Sequence, residues 1–512
     1  MKRLPWLEMR KKTDPELPLE PPIWFGNQSN GEYFRPATKK DRKMRKLILE
    51  TCDENARKLG MDRRDFLASA MGMATTLSVI SAVSACSSDD AVNKDAGHAV
   101  PKDAGLDREL ACAVIGGDEF IFDVQTHWFK KDDLANFPAY LQLFGQLFDR
   151  TTETEYVKNM FLESDTTVAA LTAWPGIACT GQVTTNCGLP LSNESNAASR
   201  DHINDSLAHH TQRVVNHVQV MVQDTQGIDY ELAIMEAAKN TYGVAAWKMY
   251  PGFQPIFKMD DDRGRAVIQK GLDLGVPLFC VHKGLPIGTF FSVEGNHPRD
   301  VGVVAKDYPE ARFMIYHSAI CAGSDSTANA PPEGPYDPNE ADPKGVNALI
   351  RSLEDNGIGP NQNVFGEVGS ALNQVQKDPV VAAHFFGKLM KYVGTDNVLW
   401  GTDCIIYGSP QPFIEWFRTL TIPQSMMDTY GYPALDDAQK AKILGLNAAK
   451  VYGLDPHATR CRVEQTETAL LKRRLDHEFG TRRWAFQEPS GPRTWDEFVQ
   501  HSRDCVRLGR PG

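Results

Sequence analysis

An α/β fold, a (β/α)8 barrel over residues 118–455, is the fold class this sequence predicts, and two observations predict it. Eight short apolar runs alternate with helix-like amphipathic stretches, the rhythm of parallel strands joined by helical crossovers. Polar residues able to do chemistry recur at the C-terminal ends of those runs, the end where such barrels place their sites.

The runs are Glu119–Val124, Thr167–Ala173, His217–Val222, Val244–Met249, Val276–Val281, Arg312–Tyr316, Asn363–Val368 and Asn397–Thr402. Each is short and nearly unbroken in apolar character, as strands shielded on both faces are. Between them, Tyr230–Asn240, Arg265–Leu274, Val346–Asp355 and Pro379–Val393 are amphipathic and predict helices. Long segments follow the second and sixth runs, Trp174–Ser199 and Ala319–Pro343, rich in small and turn-forming residues. On the active face of a barrel, such segments serve as lids or specificity loops.

Four further regions flank or lead into the barrel. Residues 1–60 are charged and proline-dotted, and read as a polar, disordered region. Residues 61–86 carry Arg63-Arg64, then Phe66-Leu67, then an uncharged stretch to Ala85, the pattern of a twin-arginine export signal. Met61 then reads as the initiator. Val83-Ser84-Ala85-Cys86 resembles a lipobox, which predicts lipidation and membrane anchoring at Cys86; a simple cut after Ala85 fits equally. Residues 87–117 read as a flexible tether, and 456–512 as a helical extension packed on the barrel or joining a homo-oligomer. The expected partners are the export machinery and a small-molecule substrate. The expected location is the periplasm, free or anchored to the membrane facing it.

Composition bounds the function. Of 512 residues, 42% are hydrophobic and 24% charged, enough for a sizeable core, and the net charge is -11. That balance supplies no basic footprint, so nucleic acid is not an expected partner. Ten cysteines without a CxxC pair make neither a disulfide framework nor a zinc ribbon. Cys179 and Cys187 are near enough to pair or stay free, while Cys280 and Cys404 beside the strand ends are expected to be packing residues. No glycine-rich nucleotide loop and no Gly-x-Ser-x-Gly elbow occurs.

The first run ends in Asp123-Val124-Gln125-Thr126-His127, with Gln125 and His127 two apart and so on one side of an extended chain. Later runs deliver His282, His317 and Asp403. Three histidines and an aspartate at strand ends predict one shared metal ion with positions left for water and substrate. Lys248, Glu367, Lys283 and Trp174 also end or follow strands and are candidates to line the pocket. Lys248 reads either as an ammonium for a substrate carboxylate or as a rim lysine. Glu367 reads as a residue orienting a ligand or as a paired rim carboxylate.

Phe122-Asp123-x-x-x-His127, His282, His317, Trp400-Gly401-Thr402-Asp403 and the closing run Ile443–Leu454 together resemble the amidohydrolase superfamily, in the branch of amino-carboxymuconate-semialdehyde decarboxylase and its relatives. The resemblance covers 118–455 and implies a metal-dependent hydrolase barrel holding one divalent ion, zinc in the first instance. It implies that His127, His282, Asp403 and Gln125 hold the ion, that Asp403 is also the general base, and that His317 polarises the reacting group. Members carry His-x-His or Glu-x-His on the first strand; Gln125 stands in the first of those positions here. Either its neutral amide ligates loosely or the ion rests on His127, His282 and Asp403, and a second metal is disfavoured either way. Some members carboxylate a lysine at the position of Lys248. The activity implied is hydrolysis of a C–N or C–O bond in a small cyclic or carboxylated substrate. The alternatives are non-oxidative decarboxylation at the same site and an inactive exported barrel.

Overall fold

In the computed structural model, eight strands alternate with helices and hydrogen-bond in sequence order, every neighbour parallel: β1 (Phe122–Thr126), β2 (Val168–Leu171), β3 (Val214–Gln219), β4 (Ala246–Met249), β5 (Leu278–His282), β6 (Arg312–Tyr316), β7 (Val364–Glu367) and β8 (Val398–Leu399). The sheet closes on itself. Val124 N donates to Trp400 O at 2.9 Å, Asp403 N to Gln125 O at 2.9 Å, and Thr126 bridges Cys404 in parallel. The structure describes residues 19–23, 25, 38–87, 92–93, 95–134, 151–175, 190–208, 210–222, 227–253, 256–285, 292–321, 333–405 and 408–482. Cys179, Cys187 and much of the two long loops lie outside these residues.

Alternation fills the barrel. Phe122, Val124, Val168, Ala170, Ala246, Leu278, Cys280, Met314, Tyr316, Phe365 and Leu399 form one buried cluster, capped by Ala448, Ala449 and Val451 near the end of the barrel segment. Two residues beyond Ala246, Cys280 and Phe365, the same inward file carries Lys248, His282 and Glu367 to the strand ends. The β1–β2 register shifts between Asp123 and Thr126, an irregularity of the kind that re-aims side chains. The third strand begins at Val214, three residues before the expected His217, because Val214 and Val215 also lie in the apolar interior. The predicted helices are present as Ile228–Tyr242, Asp262–Asp273, Gly345–Asp355 and Pro379–Lys388, the last continuing through Leu389–Val393. Helices Pro456–Val463 and Glu467–Phe479 follow the barrel.

The structure differs from the expected disordered region and tether. Residues 39–59 form helix α1 (Lys39–Leu59), capped by Thr38 and Asp41. Its core-facing stripe is Met44, Ile48, Cys52 and Ala56, one residue in every four among lysines and arginines, a period that the charge obscures. The signal-like segment forms α2 (Arg63–Leu67) and α3 (Ala70–Ser87). In place of a tether, Gly97–His98 pairs antiparallel with Leu420–Thr421, and α4 (Arg108–Ile115) buries Ala111 and Ile115. Among the described residues no helix is long and apolar enough to cross a membrane.

Candidate active site

Backbone strain marks the mouth of the barrel. His317, Ser318 and Ala319 have φ of 59°, 49° and 58°, and Asp403 has φ 61°. Left-handed conformations cost a non-glycine residue about 1–2 kcal/mol each and persist where surrounding structure fixes them. Here β7 supplies that structure: Glu367 Oε2 accepts from His317 N at 2.8 Å, and Ser318 Oγ donates to Glu367 O at 2.8 Å.

Asp403 is the hub. Its Oδ1 lies 2.7 Å from His127 Nε2 and accepts from Gln125 Nε2 at 2.9 Å, while Ser370 Oγ donates to its Oδ2. All these side chains are buried. Burial alone pushes the Asp403 carboxyl up, but the His127 hydrogen bond and charge, with His317 and Ser370, hold it below the usual carboxylate range. Beneath it, Asp123 stitches the seam: Oδ1 accepts from Thr402 N at 3.1 Å and Oδ2 from Thr402 Oγ1. Burial raises that carboxyl to about 7.

Hydrogen-bond partners fix the histidine tautomers. His127 Nδ1 faces Thr172 O at 2.7 Å and donates to it, so Nε2 is the nitrogen that shares a proton or a cation with Asp403. His282 Nδ1 faces Asn296 Oδ1 at 3.2 Å, so it donates and leaves the lone pair on Nε2. In His317 the order is reversed: Nδ1 accepts from Ser370 N at 3.1 Å, so the neutral ring carries its proton on Nε2. Burial lowers the His317 pKa to about 3 and keeps that ring neutral. The His282 and His317 rings meet edge-on, 4.9 Å between centroids. His282 thus offers a lone pair, His127 offers one when a cation replaces the proton it shares with Asp403, and His317 offers an N–H.

This pattern bears on the divalent ion that the sequence resemblance implies. A His127 lone pair facing an ionised carboxylate at 2.7 Å requires positive charge between them, a proton or a cation. Gln125 Oε1 is buried and, among the described residues, accepts no hydrogen bond. Among the described residues no group of three His, Cys, Asp or Glu side chains is arranged to hold an ion. The donors that meet at Asp403, its own carboxylate, the His127 imidazole and the Gln125 amide, are of kinds that a divalent ion takes and would hold it; His282, edge-on to His317, does not complete a group of three with them among the described residues.

Of the pocket candidates, two are near the mouth and two serve other ends. Lys248 Nζ lies 3.4 Å from the Tyr316 ring centroid and 4.2 Å from that of Tyr250, a cation held by aromatic faces. Trp174 packs edge-on against His127 and Phe129. Lys283, expected to line the pocket, instead pairs with Asp300 at 2.7 Å and donates to the carbonyls of Gly295 and His297, because the loop after β5 folds back over it. Glu367, expected to touch substrate or orient a ligand, is committed to the backbone of His317 and Gly369. Burial holds its carboxyl well above the ordinary range. Cys280 and Cys404 are buried in apolar clusters, the packing residues expected, and burial raises Cys280 to about 12.

Sequence reasoning missed Ser370, Asn296 and Thr172. A serine three residues past a strand and an asparagine in a loop carry no spacing signal; only the fold shows what they touch.

An uncharacterized TIM-barrel protein from Bordetella bronchiseptica is 14% identical, with 67% of this chain and 99% of that one covered at a TM-score of 0.40. A uronate isomerase from Bacillus halodurans is 11% identical, with 63% and 77% covered at 0.34. Both likenesses are too distant to carry an argument about the site. No curated protein matches. The model of one family, described as amidohydrolase, matches residues 190–454, which include His282, His317, Ser370 and Asp403. That match spans more than half of the chain, and the chain belongs to the amidohydrolase family.

Proposed function

We propose that the protein is a hydrolase that uses water to open a C–N or C–O bond of a small cyclic or carboxylated substrate. The observation that carries this reading is Asp403, an ionised and strained carboxylate held between His127 and Ser370 beside an imidazole N–H. When bound, a divalent ion, zinc in the first instance, supplies Lewis acidity and lowers the pKa of water. By the sequence resemblance, His127, His282, Asp403 and Gln125 would hold it.

The chain's own groups do the rest. Asp403 accepts a proton from water as it attacks the substrate carbonyl, a general-base role contributing roughly 10²–10⁴-fold in typical enzymes. His317 donates its Nε2–H to the carbonyl oxygen, where negative charge develops. Asp403 then returns the proton to the leaving nitrogen or oxygen. Lys248 attracts a substrate carboxylate, and Trp174 supplies an apolar wall. The resemblance to the decarboxylase-containing branch makes carbon dioxide release the competing reading of the same groups. A panel of lactones, cyclic amides and phenolic acids, followed for both ring opening and carbon dioxide, tests the proposal. Ring opening that Asp403→Asn abolishes supports it; carbon dioxide release without hydrolysis overturns it.

For location, we propose export by the twin-arginine route, supported by Arg63-Arg64, Phe66-Leu67 and the uncharged stretch to Ala85.

A further inference from the structure

An export leader is ordinarily discarded, whereas the segment that carries the pattern of one is built into the fold here. From Met71 to Ile80 every residue of α3 is buried except the partly exposed Ser78. Met73, Ala74, Thr76, Leu77 and Ile80 are wholly so. The helix packs on α1, α4, the Gly97–His98 strand and the barrel helix Pro379–Lys388. Such enclosure on all sides is that of a core helix rather than a surface one.

Two of its polar side chains, Thr75 and Ser81, meet groups outside the helix. Asn55 Nδ2 of α1 donates to Thr75 Oγ1 at 3.2 Å and lies 3.4 Å from Gly105 O. Ser81 Oγ accepts from His98 N at 2.9 Å. His98 in turn meets Thr419 Oγ1 at 2.9 Å, packs edge-on against Trp416, and pairs with the Leu420–Thr421 strand after β8. A Cβ at Gly72 would collide with the carbonyl of Phe66, so α2 and α3 are in close contact at their turn. From the far end of the chain, Arg482 donates to Ala68 O at 2.8 Å and pairs with Glu415 on the barrel at 2.6 Å. Hydrophobicity is all that an apolar leader requires; these hydrogen bonds tie α3 to α1 and the Gly97–His98 strand, and the turn before it to Arg482, at defined positions.

We propose that residues 63–87 are a permanent part of the folded protein. The flank formed by α4, Gly97–His98 and the helix Pro379–Lys388 is a docking surface whose occupant is this chain's own α3. Exported or not, the working enzyme keeps this segment, and Cys86 does not become a lipidated N-terminus. Removal of residues up to Ala85 would uncover that flank and leave His98 N without Ser81.

The test is the intact mass of the full chain, purified from both compartments of a host whose twin-arginine pathway processes a control leader. The expected mass includes residues 63–87 wherever the protein accumulates; a stable chain beginning at Cys86 or Ser87 overturns the proposal. In parallel, Leu77→Ala should lower the Tm of the full chain by about 2–5 °C, and Ser81→Ala by about 1–3 °C. Unchanged melting in both variants overturns it as well. Neither readout depends on substrate turnover, so failure of the hydrolase reading would leave this result intact, and the converse.

Discussion

The imidazoles of this site are distinguished by their partners rather than by their positions. His127 and His282 each give Nδ1–H to an oxygen, whereas His317 takes an N–H from Ser370. His282→Ala should therefore remove most bound metal while leaving the fold; full metal content by elemental analysis would reject it as a ligand. His317→Gln, which keeps a donor, should retain metal yet lower kcat by about tenfold or more. Ser370→Ala deletes a hydrogen bond to a charged group, a loss of about 1.5–3 kcal/mol. If that loss falls in the transition state, kcat drops roughly ten- to a hundredfold with KM little changed, and Ser370→Thr restores most of it. At this scale the sequence exposed His127, His282, His317 and Asp403 because each ends an apolar run. It concealed Ser370 and gave no sign that Lys283 would pair with Asp300 or Glu367 with the backbone of His317 and Gly369, since a strand-end position fixes where a residue starts and not which way a loop later folds over it.

Strand and helix patterns were the most legible features. Eight runs became eight strands, and the boundaries moved where apolar residues continued past the expected limit, as at Val214. Less visible was what must be small. A Cβ on Gly401 would overlap the Glu367 carboxylate, and one on Gly369 would press on Gln125 Oε1, with His317 Nδ1 at 2.7 Å and Glu367 Oε1 at 2.9 Å. Gly401→Ala should thus destabilise by about 1–3 kcal/mol through overpacking and depress activity together with Tm, measured by thermal melting and turnover on the same preparation. Helix α1 makes the complementary point. Its stripe of Met44, Ile48, Cys52 and Ala56 satisfies a helical period, but lysines and arginines around it give the segment the composition of a disordered tail.

Over the molecule as a whole, buried titratable groups set the response to acid. His98 and His217 fall to about 3 through burial, as His317 does, and His282 lies well below the ordinary value for the same first reason. Each binds a proton in the unfolded chain below about 6.5 but not in the folded one, so stability is lost as pH falls from there toward 3. Asp123, Glu367 and Glu415, raised by burial, act the other way, favouring the fold below their raised values. Four imidazoles, joined by Asp403 whose carboxyl is held low, outweigh these three carboxyls. Tm should therefore decline between pH 6.5 and 4; a flat or rising profile would show that the imidazoles are charged in the native state. The Asp123–Thr402 and Gln125–Asp403 contacts have a consequence in time. Their partners stand 279 and 278 residues apart, so loop closure over most of the chain must precede them. During synthesis the first strand waits for the eighth to leave the ribosome, and no fragment lacking either edge can bring His127 to Asp403. Activity should switch on only when the ring is complete.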